Sequence, residues 1–322
     1  MTITPDRGTG DDLAPDMRRF QQWLAAAYAQ HPSLDSVSLA QARQIAEQVR
    51  APFTQGGPRM VRTQDLTLAS PHGALRLRLY RPRAVPVLPA LVYLHGGGWV
   101  FFSIATHDRL MRELAARAGR VVIGVDYALA PEAPYPAARE QVAAVWRWAR
   151  AHADEHGLDP ARIGLAGDSA GANLALASAV VLRDAGEHPD ALLLNYGVYC
   201  DDDSTASFTR YDGPAYNLGR DEMRVFWRHY LGPTPDRADP LAMPLHADLA
   251  GLPRCCLVVP ECDVLRDDSL ALATRLRAAR VEVDLQRHPG AVHSFLEAVS
   301  FGPTAERALA QCGAWLAGAP ER

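Results

Sequence analysis

The sequence predicts an α/β fold with a mostly parallel, eight-stranded sheet and helices on both faces. Between residues 90 and 288, six mostly apolar runs are separated, in most cases, by helix-like stretches. Continuous apolar strands that alternate with helices are typical of a parallel sheet with both faces covered. Two earlier strands complete the eight. The six runs are ALVYLH (90–95), RVVIGVDY (120–127), RIGLAG (162–167), ALLLNYG (191–197), CCLVVPE (255–261) and VEVDLQRH (281–288).

Residues 1–60 are predicted to form two helices at the edge of this domain, since neither helix follows a strand. The first helix repeats large apolar side chains every three or four residues. The second opens with a serine and a glutamine spaced as in a capping box and keeps its apolar residues on one face. These positions are Met17, Phe20, Leu24 and Tyr28 in the first, and Ser38, Gln41, Ala42, Ile45 and Val49 in the second.

The remaining residues, 61–322, are predicted to form the main domain, which opens with an antiparallel hairpin. The runs VRTQDLTLAS (61–70) and ALRLRLYRP (74–82) flank the turn residues PHG (71–73). The second run alternates apolar and charged side chains, as a strand does when one of its sides faces solvent. The six buried strands follow this hairpin.

A long insertion interrupts the main domain after ALLLNYG. More than fifty residues precede CCLVVPE, and connections of this length are usually lids or binding loops. We therefore expect a cap insertion at about 201–235. Alternatively, its large aromatic side chains only build a small core of their own. The aromatic residues are Tyr199, Phe208, Tyr211, Tyr216, Phe226, Trp227 and Tyr230.

The composition argues against several classes of function. The chain has 322 residues, 48% of them hydrophobic and 22% charged, with a formal net charge of -4. It shows no basic block for nucleic acid or an anionic membrane, no secretory signal pattern and no apolar span of about 18 residues. Its five cysteines follow neither a disulfide nor a zinc spacing. We expect a cytoplasmic protein without metal or cofactor.

Four chemistry-bearing segments follow strands of the predicted sheet. Ligand sites of open α/β sheets form at the carboxyl ends of the strands, so side chains far apart in sequence are expected to meet there. The segments are HGGGW (95–99), GDSAG (167–171), ECD (261–263) and HPGAVHSF (288–295).

Three of these segments supply a serine, an acid and a histidine. A serine hydroxyl is a weak nucleophile and needs a base, which in turn needs an acid to hold its tautomer. Ser169, Asp263 and His293 supply these groups, in the chain order of the α/β-hydrolases. Gly167 and Gly171 would let the chain turn sharply at Ser169, at the cost of local backbone strain.

The HGGGW segment is predicted to stabilise an oxyanion. A tetrahedral intermediate requires preoriented N–H donors, and an HGGG loop paired with a serine elbow is the known pattern of lipases and esterases. The backbone amides of Gly97, Gly98 and Ala170 are the expected donors. Glycine allows the backbone to approach a substrate without an intervening Cβ.

Each assignment has an alternative. Ser169 could simply cap the helix that follows it. Asp267, Asp268 or one of Asp201 to Asp203 could replace Asp263 as the acid, although Asp263 comes first after its strand. His95 and His288 are expected to be structural, His95 by anchoring its loop through hydrogen bonds.

These segments resemble the hormone-sensitive-lipase-type esterases, in particular their bacterial acetyl-esterase branch. The matching stretches are YLHGGGWV, THDRLMRELA, VIGVDYALAPEAPYPAA, GDSAGANLALA and HSFL, spread over roughly residues 60 to 300. The resemblance implies an α/β-hydrolase core and a helical cap built from the N-terminal segment and the insertion. It also implies the same roles for the triad and the oxyanion donors. One departure is Val264, which replaces a proline of the family's acid motif and is expected to loosen that loop slightly.

The predicted function is a carboxylesterase that hydrolyses small, short-chain esters through an acyl-enzyme. Trp99, Phe101 and Phe102 are expected to narrow the acyl pocket, with Tyr199 and Tyr211 as further substrate contacts. An arylformamidase or other amide hydrolase, including a peptidase, could use the same triad. A non-enzymatic ligand-binding protein on the same fold is a further alternative. The last strand is also an edge that could pair with a second copy of the chain.

Overall fold

The strands of the chain join one sheet. A computed structural model describes residues 9–233 and 239–318. Within these ranges the sheet has eight strands, each overlapping one of the eight sequence runs. In chain order they are β1 (Arg62–Ser70), β2 (Gly73–Arg81), β3 (Leu88–Leu94), β4 (Val121–Asp126), β5 (Leu158–Asp168), β6 (Leu192–Asn195), β7 (Cys255–Cys262) and β8 (Val283–Val292).

Helices connect most of these strands. Short 3-10 turns add to them at Leu34–Ser36, Ala51–Thr54, Pro244–His246 and Phe295–Ser300. The α-helices in the described part of the chain are α1 (Pro15–Tyr28), α2 (Leu39–Arg50), α3 (Asp108–Ala118), α4 (Ala137–Ala151), α5 (Ala153–His156), α6 (Ala170–Asp184), α7 (Ala206–Tyr211), α8 (Arg220–Leu231), α9 (Arg266–Ala278) and α10 (Pro303–Ala317).

The sheet has the predicted mixed topology. Its order is β1-β2-β4-β3-β5-β6-β7-β8. β1 and β2 form an antiparallel hairpin, β2 runs antiparallel to β4, and all the other neighbouring pairs are parallel. The α/β fold class with a mostly parallel, eight-stranded sheet is therefore confirmed. Since β3, β5, β7 and β8 are parallel, the segments that follow them meet at one edge.

Helix α6 lies at the centre of the molecule. Its sequence AGANLALASAVVLRD is apolar on all sides, and it is buried along most of its length. A helix without a polar face is typically enclosed by other elements. Because α6 begins directly after Ser169, the packing around this helix fixes the direction in which the chain leaves β5.

The N-terminal helices pack firmly against the main domain. Phe20 of α1 and Phe53, just after α2, contact the ring of Phe301, with centroid distances of 5.3 and 5.8 Å. The buried Asp16 carboxylate accepts hydrogen bonds from the Thr304 amide at 2.9 Å and the Thr304 hydroxyl at 3.0 Å. It therefore caps the N-terminus of α10 from a distant part of the sequence.

The insertion after β6 contributes α7 and α8. Tyr216, between these helices, donates from its hydroxyl to Asp12 Oδ1 at 2.9 Å and accepts from the Gly10 amide at 3.1 Å. The N-terminal segment and the insertion are thus in direct contact. Residues 234 and 235, the end of the predicted 201–235 insertion, lie outside the described residues.

We expect Asp16→Ala to lower the free energy of unfolding by about 1–2 kcal/mol, because it removes the cap of α10 and leaves a buried amide without an acceptor. Urea denaturation measures this change. The control is Asp35→Ala, an exposed carboxylate in the turn Leu34–Ser36. Equal losses in the two variants would contradict the capping role.

Candidate active site

Ser169 occupies a sharp turn between β5 and α6. Its φ and ψ are 55° and −119°, a conformation that a residue with a side chain rarely adopts. The Ser169 amide donates to the Asn195 carbonyl at 2.9 Å, which holds the turn against β6. A Cβ at Gly171 would lie 2.0 Å from the Leu94 carbonyl oxygen, and one at Gly167 would lie 2.4 Å from the Gly171 carbonyl oxygen. Only glycine permits this approach of α6 to β3.

The structure brings Ser169, His293 and Asp263 into one hydrogen-bonded row. The Ser169 hydroxyl oxygen lies 3.0 Å from His293 Nε2, and His293 Nδ1 lies 2.7 Å from Asp263 Oδ2. The three residues are 6%, 6% and 1% exposed, respectively, so the row is shielded from bulk water. This geometry allows His293 to take the serine proton while the carboxylate fixes its tautomer.

The acidic residues considered as alternatives to Asp263 make other contacts. Asp267 accepts from the Ser207 amide at 2.8 Å, and Asp268 accepts from the Tyr199 amide at 2.7 Å. The Asp263 loop is held by its own contacts, since Asp263 Oδ1 accepts from the Leu265 amide at 3.0 Å. The Ser207 hydroxyl donates to the Val264 carbonyl at 2.6 Å.

The glycine loop after β3 lies against the serine turn. A Cβ at Gly96 would lie 2.4 Å from Asp168 Oδ2, so the two loops are in direct contact. Within residues 9–233 and 239–318, the amides of Gly97, Gly98 and Ala170 donate no hydrogen bond to the protein. These three amides therefore have no acceptor within the described protein, and their role as oxyanion donors stays a prediction.

A buried ion pair lies beneath the nucleophile. Asp168 accepts from the Tyr93 hydroxyl at 2.7 Å, and its second oxygen lies 3.4 Å from His107 Nε2. Burial opposes the charge of Asp168, but attraction to His107 and the hydrogen bonds outweigh it, so its pKa lies below the ordinary value. Burial likewise opposes the charge of His107, yet attraction to Asp168 raises its pKa overall. The two side chains therefore stabilise each other as ions.

His95 has the structural role expected from the sequence. Its Nδ1 lies 2.8 Å from the Gly96 carbonyl, and its ring stacks on Tyr127 at a centroid distance of 4.3 Å. Burial, followed by the nearby charge of His107, lowers the pKa of His95 to about 4. A neutral imidazole that donates to the loop backbone anchors the loop without transferring protons.

Three of the predicted substrate contacts are buried in packing. Trp99 is 1% exposed and stacks on Tyr230 at 4.1 Å, so it anchors helix α8 to the glycine loop. Tyr199 is fully buried, and Tyr211 packs edge-on against Tyr216 at 5.1 Å. Trp99 and Tyr199 therefore expose almost no surface, whereas Tyr211, at 5%, is about as exposed as Ser169 at 6%; the role of these three side chains as substrate contacts stays a prediction.

Phe101 and Phe102, by contrast, are half-buried and keep exposed surface. Phe226 of α8 joins them, with its ring centroid 6.0 Å from that of Phe101. A Cβ at Gly98 would lie 2.3 Å from Phe226 Cγ, so this cap ring lies directly on a predicted donor loop. The sequence reveals Phe226 only as one of several insertion aromatics.

A second contact from the insertion escapes sequence reasoning. Asn217 Nδ2 donates to the His293 carbonyl at 3.0 Å and steadies the backbone that carries the histidine. No motif singles out this asparagine.

In the part of the chain that the structure describes, no cluster of three or more His, Cys, Asp or Glu side chains could hold a metal ion. No helix there is long and apolar enough to cross a membrane.

The chain matches a known protein family over most of its length. A family model described as alpha/beta hydrolase fold matches residues 91–297, a stretch that contains Ser169, Asp263 and His293. The chain belongs to the alpha/beta hydrolase family. The resemblance of this α/β-hydrolase to the hormone-sensitive-lipase-type esterases, read from its motifs, is confirmed as well.

Similar proteins carry esterase names. Acetyl esterases of Salmonella paratyphi B and Salmonella typhi are 41% identical to this α/β-hydrolase over 240 residues, 73% of each chain. Among solved structures, an esterase of the archaeon Pyrobaculum calidifontis superimposes with a TM-score of 0.88 at 34% identity, covering 95% of this chain and 98% of that one. A thermostable esterase of Pseudomonas putida gives 0.90 at 30% identity, covering 97% and 99%.

We expect Gly171→Ala to destabilise this α/β-hydrolase by at least about 2 kcal/mol, because the added methyl group would overlap the Leu94 carbonyl and force α6 away from β3. Thermal unfolding combined with an esterase assay tests both stability and the site. The control is Gly213→Ala, where a Cβ meets no atom within 4 Å. A Gly171→Ala variant as stable and active as the control would refute the close-approach argument.

Proposed function

We propose that the chain is a serine carboxylesterase that hydrolyses short-chain acyl esters, with an acetyl-like group as the preferred acyl part. The observation that carries this proposal is the hydrogen-bonded row from the Ser169 hydroxyl through His293 to Asp263. The esterase and acetyl-esterase names of the similar proteins support the same reaction. No cofactor takes part in the mechanism.

In the acylation step, Ser169 Oγ attacks the ester carbonyl carbon while His293 Nε2 accepts the hydroxyl proton. Asp263 accepts from Nδ1–H and stabilises the imidazolium. The amides of Gly97, Gly98 and Ala170 donate to the developing oxyanion, a contribution worth roughly 10²- to 10³-fold in turnover per donor. Collapse of the intermediate expels the alcohol, which receives its proton from His293.

In the deacylation step, water replaces the alcohol and the same groups repeat their roles. His293 accepts a proton from water as the oxygen attacks the acyl carbon, and then returns a proton to Ser169 Oγ. The carboxylic acid leaves, and the free serine is restored. A buried row suits both steps because proton transfer takes place without competition from bulk water.

The preference for short chains rests on the aromatic side chains around the donor loop. Phe101, Phe102 and Phe226 present half-buried rings beside Gly97 and Gly98. Rigid rings at this position leave little room for a long substituent next to the reacting carbonyl. We assign Phe226 to the cap and propose that residues 1–60 and the insertion at about 201–235 together form that cap over the domain 61–322.

The assembly and location of the chain are part of this proposal. β8 is the last strand of the sheet; the Ala14 amide donates to its Gly290 carbonyl at 3.0 Å, and the rest of its outer edge could pair with the same strand of a second copy. A homodimer is expected, and light scattering that gives only the 35.0 kDa monomer would overturn it. The five cysteines are buried and unpaired, which supports a reducing, cytoplasmic location.

We expect Ser169→Ala to lower turnover of p-nitrophenyl acetate by at least about 10⁴-fold, because no other group on the row can attack the carbonyl. The matched control is Ser178→Ala, which removes a buried serine from the same helix. Undiminished activity in Ser169→Ala would end the proposal. If matched amides were hydrolysed faster than esters, the reaction would be reassigned to an amidase.

We expect Phe226→Ala to shift the chain-length preference, because it removes the cap ring that lies on Gly98. The hexanoate-to-acetate ratio of kcat/KM should rise by about tenfold, the lower end of what one methylene group contributes in an apolar pocket. Val225→Ala is the control, since its side chain is 39% exposed on the same helix. An unchanged ratio would show that Phe226 does not limit the acyl chain.

A further inference from the structure

A buried ion pair connects the N-terminal helices to the segment that follows His293. Arg50, the last residue of α2, places Nη1 3.2 Å from Glu297 Oε2, and the two side chains are only 5% and 3% exposed. Glu297 lies in the turn Phe295–Ser300, four residues after His293. A side chain of an N-terminal helix thus forms an ion pair with the segment that directly follows His293, the predicted base.

Stability alone does not account for this pair. Removing two charges from water costs several kcal/mol per ion, and a well-packed apolar pair is often as stable as a buried ion pair or more so. Arg50 Nε also has no hydrogen-bond partner within the described residues. The pair therefore carries a large desolvation cost, which favours a role in fixing the positions of the segments that it joins.

The Arg50 guanidinium also contacts an aromatic side chain that lies against the glycine loop. Arg50 lies over the ring of Phe102, 5.1 Å from its centroid. That ring in turn backs the donor loop, since a Cβ at Gly97 would lie 2.9 Å from Phe102 Cδ2. One cation therefore contacts both the turn that follows the base and the aromatic residue behind an oxyanion donor.

We propose that Arg50 is a positioning residue that fixes the turn Phe295–Ser300, just after His293, relative to the glycine loop after β3. This inference rests on the proposed esterase function. Without Arg50, Glu297 becomes an unpaired buried charge and Phe102 loses its cation, so the distance between the base and the donor loop is no longer fixed. A misplacement of about 1 Å in a preorganised site can cost 10²-fold in rate.

Other contacts keep this region folded when Arg50 is replaced. Arg109 Nη1 donates to the Ser300 hydroxyl at 2.6 Å, and Phe301 packs on the aromatic rings of the N-terminal helices. The turn therefore has independent anchors beyond Glu297. We expect a loss of precision in the active site, without loss of the fold.

The test compares Arg50→Met with Arg120→Met in an assay on p-nitrophenyl acetate. Arg120 forms an equally buried pair with Asp190, at 2.8 Å and with exposures of 0% and 5%, where β4 begins and away from the site. We expect kcat to fall 10- to 100-fold in Arg50→Met with KM within threefold, while Arg120→Met loses stability and keeps kcat within twofold. Arg50→Lys, which restores a cation without the planar fork, should recover part of kcat.

A double variant separates geometry from stability. Arg50→Met combined with Glu297→Leu replaces the pair by apolar side chains, and its melting temperature should return to that of the parent or above. We expect its kcat to remain at least tenfold reduced. A stable double variant with parent kcat would overturn the positioning role, as would equal kcat losses in Arg50→Met and Arg120→Met. If Ser169→Ala stays fully active, the proposed esterase fails instead, so the two failures are distinguishable.

Discussion

The active site depends on one close approach between backbones. A Cβ on Gly171 would lie only 2.0 Å from the carbonyl oxygen of Leu94, the last residue of β3. This approach draws α6 against the sheet directly after Ser169, whose φ is 55°. It also places the glycine loop of β3 beside Asp168. Ser169 and the glycine loop are therefore placed by a single packing constraint.

The insertion after β6 packs against the glycine loop and against the segment that carries His293. Trp99 stacks on Tyr230 of α8, and Phe226 of the same helix lies on Gly98. The glycine loop is thus held between the sheet on one side and helix α8 on the other. Asn217, in the same insertion, fixes the His293 carbonyl. A displacement of the insertion would therefore move both the glycine loop and the backbone of His293.

The sequence reveals those features that depend on local pattern or chain order. Buried strands follow from apolar runs, and the meeting of Ser169, Asp263 and His293 follows from their positions after parallel strands. Side-chain direction does not follow in this way. Trp99 was expected at the cleft, but its φ of 61° turns it into the core against α8. The Arg50–Glu297 pair joins positions 247 residues apart, and no local pattern predicts such a partner.

Two buried ion pairs lie close in sequence to Ser169 and His293. Asp168 with His107 and Arg50 with Glu297 each combine one cation and one anion at short range. A single buried charge at either place would act over a long distance through the poorly screened interior. A close pair of opposite charge gives a much weaker field at a distance, yet its hydrogen bonds remain directional and strong. The protein can therefore use ion pairs as rigid anchors around the row formed by Ser169, His293 and Asp263.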